Sequence, residues 1–238
     1  MRSAIQFIPI ATTILALTFS VVLLRRWRQR GGPHLLWFAV GALTYAAGTV
    51  TESVTTVFGW HEAVFRAWYI TGALMGGAPL AQGSVYLHMK RSTADRLSIA
   101  LVLAIVAASA FVLMSPLNYQ FVEPYRLTGK VLAWSWVRAF SPFINTYAFC
   151  FLVGGAAVSA WRYSKALVTH NRFVGNVLIA IGALLPGIGG TFTRFGYTEV
   201  LYVTEFIGLA LIFIGYRYTI APSHRMTCQA IPAISPSA

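Results

Sequence analysis

Glu52, Arg66, Arg194 and Glu205 stand inside or at the edge of long apolar stretches, where charge is costly. An ionised side chain at bilayer depth costs at least about 2.5–3.5 kcal/mol unless it finds a partner or water. Such residues therefore turn toward one another and away from lipid. Tyr45, Thr49, Tyr69, Gln82 and Tyr202 lie on the same stretches and add hydroxyl and amide groups. Two chemistries fit this set. Glu52 can pair with Arg66 or Arg194, and Glu205 with the arginine that remains, as locks between helices. Alternatively the carboxylates and tyrosines can line a site for a small solute or ion. Met75, Gly76, Gly77 and Pro79, close to Gln82, either let two helices pack tightly or bend one to open a cavity.

Other chemistries find no residues to carry them. A retinal Schiff base needs a lysine amine inside the bundle, and Lys90, Lys130 and Lys165 all fall between the apolar stretches. His34, His61, His88, His170 and His224 are scattered singly, without the paired spacing of a metal or haem site. Neither a Gly-x-Ser-x-Gly elbow, a phosphate loop nor a dinucleotide fingerprint occurs. With no nucleophile and base at a workable spacing, we expect no enzyme, no metal and no cofactor. Cys150 lies within an apolar stretch and Cys228 near the end of the sequence, so a disulfide between them is not expected.

The elements that position the polar residues follow from composition. The chain is 57% hydrophobic and 10% charged, against about 25% charged in soluble domains. Seven stretches approach the length of about 20 apolar residues that crosses a bilayer: Ala4 to Leu24, Leu35 to Val57, Ala63 to His88, Leu97 to Leu117, Ala139 to Trp161, Phe173 to Thr193 and Val200 to Tyr216. Without water in the bilayer core, each must pair its own backbone, which forces helices. The first stretch is followed, not preceded, by its positive charges, so it reads as a helix and not as a cleaved signal.

Twelve of the 18 basic residues follow the first, third, fifth and seventh stretches, with Asp95 alone opposing them. The positive-inside rule places that side in the cytoplasm, with the N-terminus outside and the C-terminus inside. The net charge of +12 then serves topology and lipid headgroups, not nucleic acid. The expected fold is all-α: a multi-pass cell-membrane protein whose single domain spans residues 1–220. Residues 221–238, rich in Pro, Ser and Ala, read as a disordered tail.

The stretches also echo one another. Phe7-Ile8-Pro9 matches Phe140-Ser141-Pro142, Gly41-Ala42-Leu43 matches Gly182-Ala183-Leu184, and Gly48-Thr49 matches Gly190-Thr191. Phe58-Gly59-Trp60-His61-Glu62 matches Phe195-Gly196-Tyr197-Thr198-Glu199, and Tyr69-Ile70-Thr71 matches Tyr202-Val203-Thr204. The order is kept throughout, which implies parallel halves of about 4–90 and 138–220 joined by a linker helix at 97–117. Pro9, Pro142, Pro79 and Pro186 are read as helix kinks.

In this three-plus-one-plus-three plan the chain resembles seven-helix membrane proteins of the SWEET and PQ-loop carrier and opsin type, and small bacterial seven-helix proteins. The resemblance implies binding or transport of a small solute between the halves, by rocking of one against the other. The alternative is a sensor or accessory subunit that binds a solute or another membrane protein and moves nothing.

Overall fold

The computed structural model describes residues 4–165 and 170–221, apart from the side chain of Arg194; the expected tail from residue 222 onward lies outside them. Nine α-helices account for most of the described chain: α1 (Ile8–Arg30), α2 (Pro33–Phe58), α3 (Glu62–Trp68), α4 (Ala78–His88), α5 (Arg91–Met114), α6 (Phe140–Ala148), α7 (Gly154–Ser164), α8 (His170–Arg194) and α9 (Thr198–Ile220). They line up as seven rods. A π-helical segment, Tyr69–Leu74, and a break at Met75–Gly77 join α3 to α4, while a second π segment, Phe149–Val153, joins α6 to α7 without a gap.

Five rods are long and apolar enough to cross a membrane: Ala4–Arg30, Arg91–Met114, Ser135–Ser164, His170–Thr193 and Thr198–Ile220. The chain is thus built as a membrane protein. The other two rods fall short for visible reasons. In α2 glycine, threonine, serine and Glu52 dilute the apolar residues, and the α3–α4 rod is interrupted.

Six rods close a ring in the order α1, α2, α3–α4, α6–α7, α8, α9 and back to α1. The α5 rod stands outside it, against α4 and the two neighbouring rods' loop ends. Divided into α1, α2 and α3–α4 on one side and α6–α7, α8 and α9 on the other, each set of three packs with its middle rod between the other two. The rods leave two unlike ends. One, the arginine end, carries the turns at residues 31–32 and 89–90, the C-termini of α7 and α9 and the N-terminus of α8. The other, the loop end, carries the turns at 59–61 and 195–197 and the long segment 115–134.

Close approach of backbones holds α8 to α9. Gly175, Gly182 and Gly189 recur every seven residues, and in the antiparallel pairing they face Gly215, Gly208 and Leu201. A Cβ on Gly182 would fall 2.5 Å from the Gly208 carbonyl oxygen, and one on Gly208 would fall 2.6 Å from that of Gly182. Pro186 contributes here. Lacking an N–H, it leaves the carbonyl of Gly182 without its helical partner, and that oxygen is the one turned to Gly208.

The prolines otherwise mark helix starts. Pro9 lies in the first turn of α1, after the 3-10 turn Ala4–Phe7. Pro142 lies in the first turn of α6, after the 3-10 turn Ser135–Ala139. At such positions the missing N–H is one of the helix's unpaired donors anyway. These two are starts and not the expected kinks. Pro79 likewise begins α4 just after the break at Met75–Gly77, while Pro186 lies inside an unbroken α8.

The segment 115–134 folds into a cap. Asn118 N–H donates to the Val131 carbonyl at 2.8 Å and Ala133 N–H to that of Pro116 at 3.0 Å, which closes the segment on itself. Leu127, Val131 and Leu132 then bury themselves with Phe65, Val112 and Val137 in the largest apolar core. The cap reaches both sets of rods. Trp60 N–H donates to the Pro124 carbonyl at 2.7 Å, and Arg126 donates to the Gly196 carbonyl at 2.6 Å and to the Thr198 hydroxyl.

Candidate functional site: a carboxyl pair and an arginine-lined cavity

Glu52 comes inward because its helix turns a face of Thr49, Glu52, Thr55 and Thr56 to the ring interior, all buried. The Trp68 indole N–H donates to Glu52 Oε1 at 3.0 Å. The Glu205 carboxyl, from α9, lies beside that of Glu52, although among the described residues Glu52 Oε2 has no partner in hydrogen-bond geometry. The Tyr45 hydroxyl donates to the backbone carbonyl of Glu205 at 3.2 Å, and buried Tyr202 lies close to both carboxyls. Thr49 accepts from the Thr13 hydroxyl at 2.9 Å and so ties α1 to α2. Glu52, Glu205, Tyr45 and Tyr202 therefore share one neighbourhood near the loop end. Two facing carboxyls can hold a proton or a small cation between them.

The other expected members lie elsewhere. Arg66 does not pair with Glu52. Its Nε donates to Glu62 at 3.0 Å, and its Nη atoms donate to the carbonyls of Val112 at 2.5 Å, Leu113 at 2.9 Å and Ser115 at 3.1 Å. The reason lies in α5. Pro116 has no N–H to offer the Val112 carbonyl, so the helix end presents unpaired acceptors, and a guanidinium fork satisfies several at once.

Tyr69 packs into the core under the cap, with Gly129 against its ring. Gln82 belongs to a separate chain of hydrogen bonds among α4, α5 and α6. It accepts from the Tyr147 hydroxyl and donates to Ser98 Oγ at 2.7 Å and to the Ala94 carbonyl at 3.0 Å. Ser98 donates to Tyr86 at 3.0 Å, and Tyr86 to Asp95 at 2.6 Å. For Arg194 the described structure gives the backbone alone.

A second feature was not anticipated. The ring encloses a cavity of about 680 Å³ at its arginine end, with walls from all six rods. On α1 its lining runs from Arg30 to Phe19, a depth of about 16 Å at about 1.5 Å per residue. That is half of a bilayer core of about 30 Å. Beyond Phe19, Ala16, Ala42, Ala46 and Leu209 pack together and close the ring's centre.

The mouth of the cavity holds Arg26 and Arg30 of α1, Arg162 of α7 and Arg172 of α8. Arg26 lies over the Tyr216 ring at 5.8 Å and Arg172 over Tyr163 at 5.7 Å. His88 contacts Ser159 Oγ through Nε2 at 2.8 Å and so links α4 to α7 across the wall. His34 precedes the apolar stretch of α2. Burial first, and then neighbouring Arg26, hold it below the usual histidine range.

In the sequence these arginines read as topology signals, and that reading is sufficient without a cavity. One local clue exists: Arg26 and Arg30 are four residues apart and share a helix face, while Arg25 and Arg28 point elsewhere. Their meeting with Arg162 and Arg172 is a product of ring closure. No family model, curated protein or solved structure matches this chain.

Proposed function

We propose that this is a seven-span membrane protein that binds a small solute in the arginine-end cavity and passes it across the bilayer by rocking one three-rod set against the other. The observation that carries this reading is the cavity itself. It is as large as many small-molecule sites, which run about 300–1,000 Å³. It lies on the axis between the sets, open at one end and closed by packed alanines and the cap at the other. A one-sided cavity on the axis between two sets of helices is the geometry that alternating access uses. By the charge rule its mouth faces the cytoplasm.

The common packing order of the two sets supports an internal repeat. So does the use of glycines: Gly41 and Gly48 face the α3–α4 rod, as Gly182 and Gly189 face α9. This spacing shifts the sequence pairing of Gly48 from Gly190, which meets nothing, to Gly189.

A sensor that moves nothing is the second reading, and the cap favours it, because segment 115–134 bonds to turns of both sets at the loop end.

The test uses single cysteines with Cys150 and Cys228 replaced by serine. Leu152→Cys, deep in the wall, should react with a charged, membrane-impermeant thiol reagent, while Val158→Cys on the outer face of the same rod should not. An unreactive Leu152→Cys would sink the solute-site reading. A bifunctional thiol crosslinker between Trp60→Cys and Tyr197→Cys, in the loop-end turns of the two sets, then ties those ends together. If reactivity at Leu152→Cys and exchange of solute across a vesicle membrane both survive the crosslink, rocking is excluded.

A further inference from the structure

The wall of this cavity identifies the class of solute. We propose that the cavity binds an amphipathic organic anion from the water at the arginine end, its charged head among Arg26, Arg30, Arg162 and Arg172 and its apolar body against the lining below. The proposal rests on the cavity being a solute site.

Every ionisable side chain of acid or base character in the wall, apart from tyrosine, is basic: the four arginines, His34 and His88, with no aspartate or glutamate among them. A recess walled by one sign of charge in a low-dielectric surround concentrates the opposite sign inside it. The four arginines also lack counter-charges. Among the described residues the ion pairs are Arg66 with Glu62, Arg91 with Asp95 and Arg126 with Glu123, and none involves this group. Topology alone would scatter charge over the whole arginine end. Arg25, Arg28, Arg96 and Arg217 lie at that end and take no part in the wall, whereas the four that do come from three different rods.

Stacking prepares two of them. A guanidinium lying over a tyrosine ring keeps its N–H edge free for the planar oxygens of a carboxylate or phosphate. Arg26 over Tyr216, between α1 and α9, and Arg172 over Tyr163, between α8 and α7, hold that arrangement at two points of the mouth. The polar side chains of the wall, Ser84, His88, Ser159 and Asn176, lie on the half nearer the mouth. Phe19, Leu80, Leu152 and Ile212 line the deeper half. A bare inorganic anion would leave that deeper half without a partner. A neutral apolar molecule would leave the arginines without one. An anion with an apolar body satisfies both halves.

Walls from all six rods and a mouth set with arginines put the charged entrance on the axis, which favours a dissolved solute over a lipid sliding in from the side. Hexyl phosphate is a suitable probe. It is measured by calorimetry on the purified protein in phosphatidylcholine nanodiscs, beside inorganic phosphate and hexyltrimethylammonium. Hexyl phosphate should bind at least tenfold more tightly than inorganic phosphate, and the cation should not bind. Arg162→Gln with Arg172→Gln should weaken hexyl phosphate at least tenfold, while Arg28→Gln leaves it unchanged.

Equal binding of hexyl and inorganic phosphate would overturn the amphipathic class while leaving an anion site. Binding of the cation would overturn the charge argument. Displacement of hexyl phosphate by phosphatidic acid in the disc would overturn the choice of a dissolved solute. Failure of every probe, with Leu152→Cys still reactive, would sink this proposal alone; failure with Leu152→Cys unreactive would sink the cavity reading beneath it.

Discussion

Replacing Arg66 by alanine tests the account of how the outlying α5 rod is held. The side chain is 16% exposed and donates to three carbonyls at the end of α5 and to Glu62. Val112 and Ser115 are buried, so their carbonyls lose contact with any donor when the guanidinium goes, whereas exposed Leu113 can be solvated. Each orphaned buried acceptor costs about 1–3 kcal/mol. The ion pair with half-exposed Glu62 adds at most about 1 kcal/mol. Relief of the desolvated charge offsets part of this, giving a net loss of about 2–4 kcal/mol. At about 2–4 °C per kcal/mol for a chain of this size, Arg66→Ala should lower the midpoint of thermal unfolding in detergent by about 5–15 °C, followed by tryptophan fluorescence. Arg66→Lys should recover less than half, because an ammonium cannot span the three acceptors at once. Glu62→Ala should cost little. If Arg66→Ala and Glu62→Ala lower the midpoint equally, the value of Arg66 lies in its ion pair and the reasoning about the helix end is wrong.

Gly182→Leu should separate α8 from α9, since its Cβ alone meets the Gly208 oxygen at 2.5 Å and the Ile212 nitrogen at 3.0 Å. The expected loss is about 1–3 kcal/mol or more, whereas Gly187→Leu, with open space around it, should be near neutral in the same unfolding assay. The hydrogen bond from Tyr119 to Glu62 at 3.0 Å raises the phenol above its ordinary value of 10.0. Its stabilisation is therefore full below about pH 10 and lost as pH rises through the higher folded value; Tyr119→Phe should remove that part of the alkaline slope and lower stability slightly at neutral pH, where the bond is intact.

Much of the scaffold could be read from the chain because bilayer physics is strict about length and charge. The breaks after Arg30 and His88 fall where the basic clusters place them, and five of the seven stretches become helices long and apolar enough to cross a membrane. The α8–α9 contact of Gly175, Gly182 and Gly189 against Gly208 and Gly215 was not legible, because a seven-residue glycine spacing means nothing until the antiparallel partner is known. Of the two partners expected for Glu52, the Arg194 side chain lies outside the described structure and Arg66 turns elsewhere, for a different reason. Matching charges by sign put Arg66 beside it, whereas Arg66 answers to backbone acceptors that only Pro116 and the path of α5 expose. Nothing in the pattern of 115–134 announced a cap, since its contacts are with turns distant in sequence.

That cap has a mechanical consequence. By bonding to Trp60 on one set of rods and to Gly196 and Thr198 on the other, it forms a joint at the loop end, whereas at the arginine end the sets meet through side chains such as His88 with Ser159 and Arg26 over Tyr216. Over a lever of about 30 Å, the thickness of a bilayer core, a rotation of about 5° at the joint displaces the far tips by about 2–3 Å. The arginines sit at those tips, on α1, α7 and α8. Under the proposed function an anion drawn between them would pull those tips together, and its release at the loop end would require the cap's bonds to Gly196 and Thr198 to part.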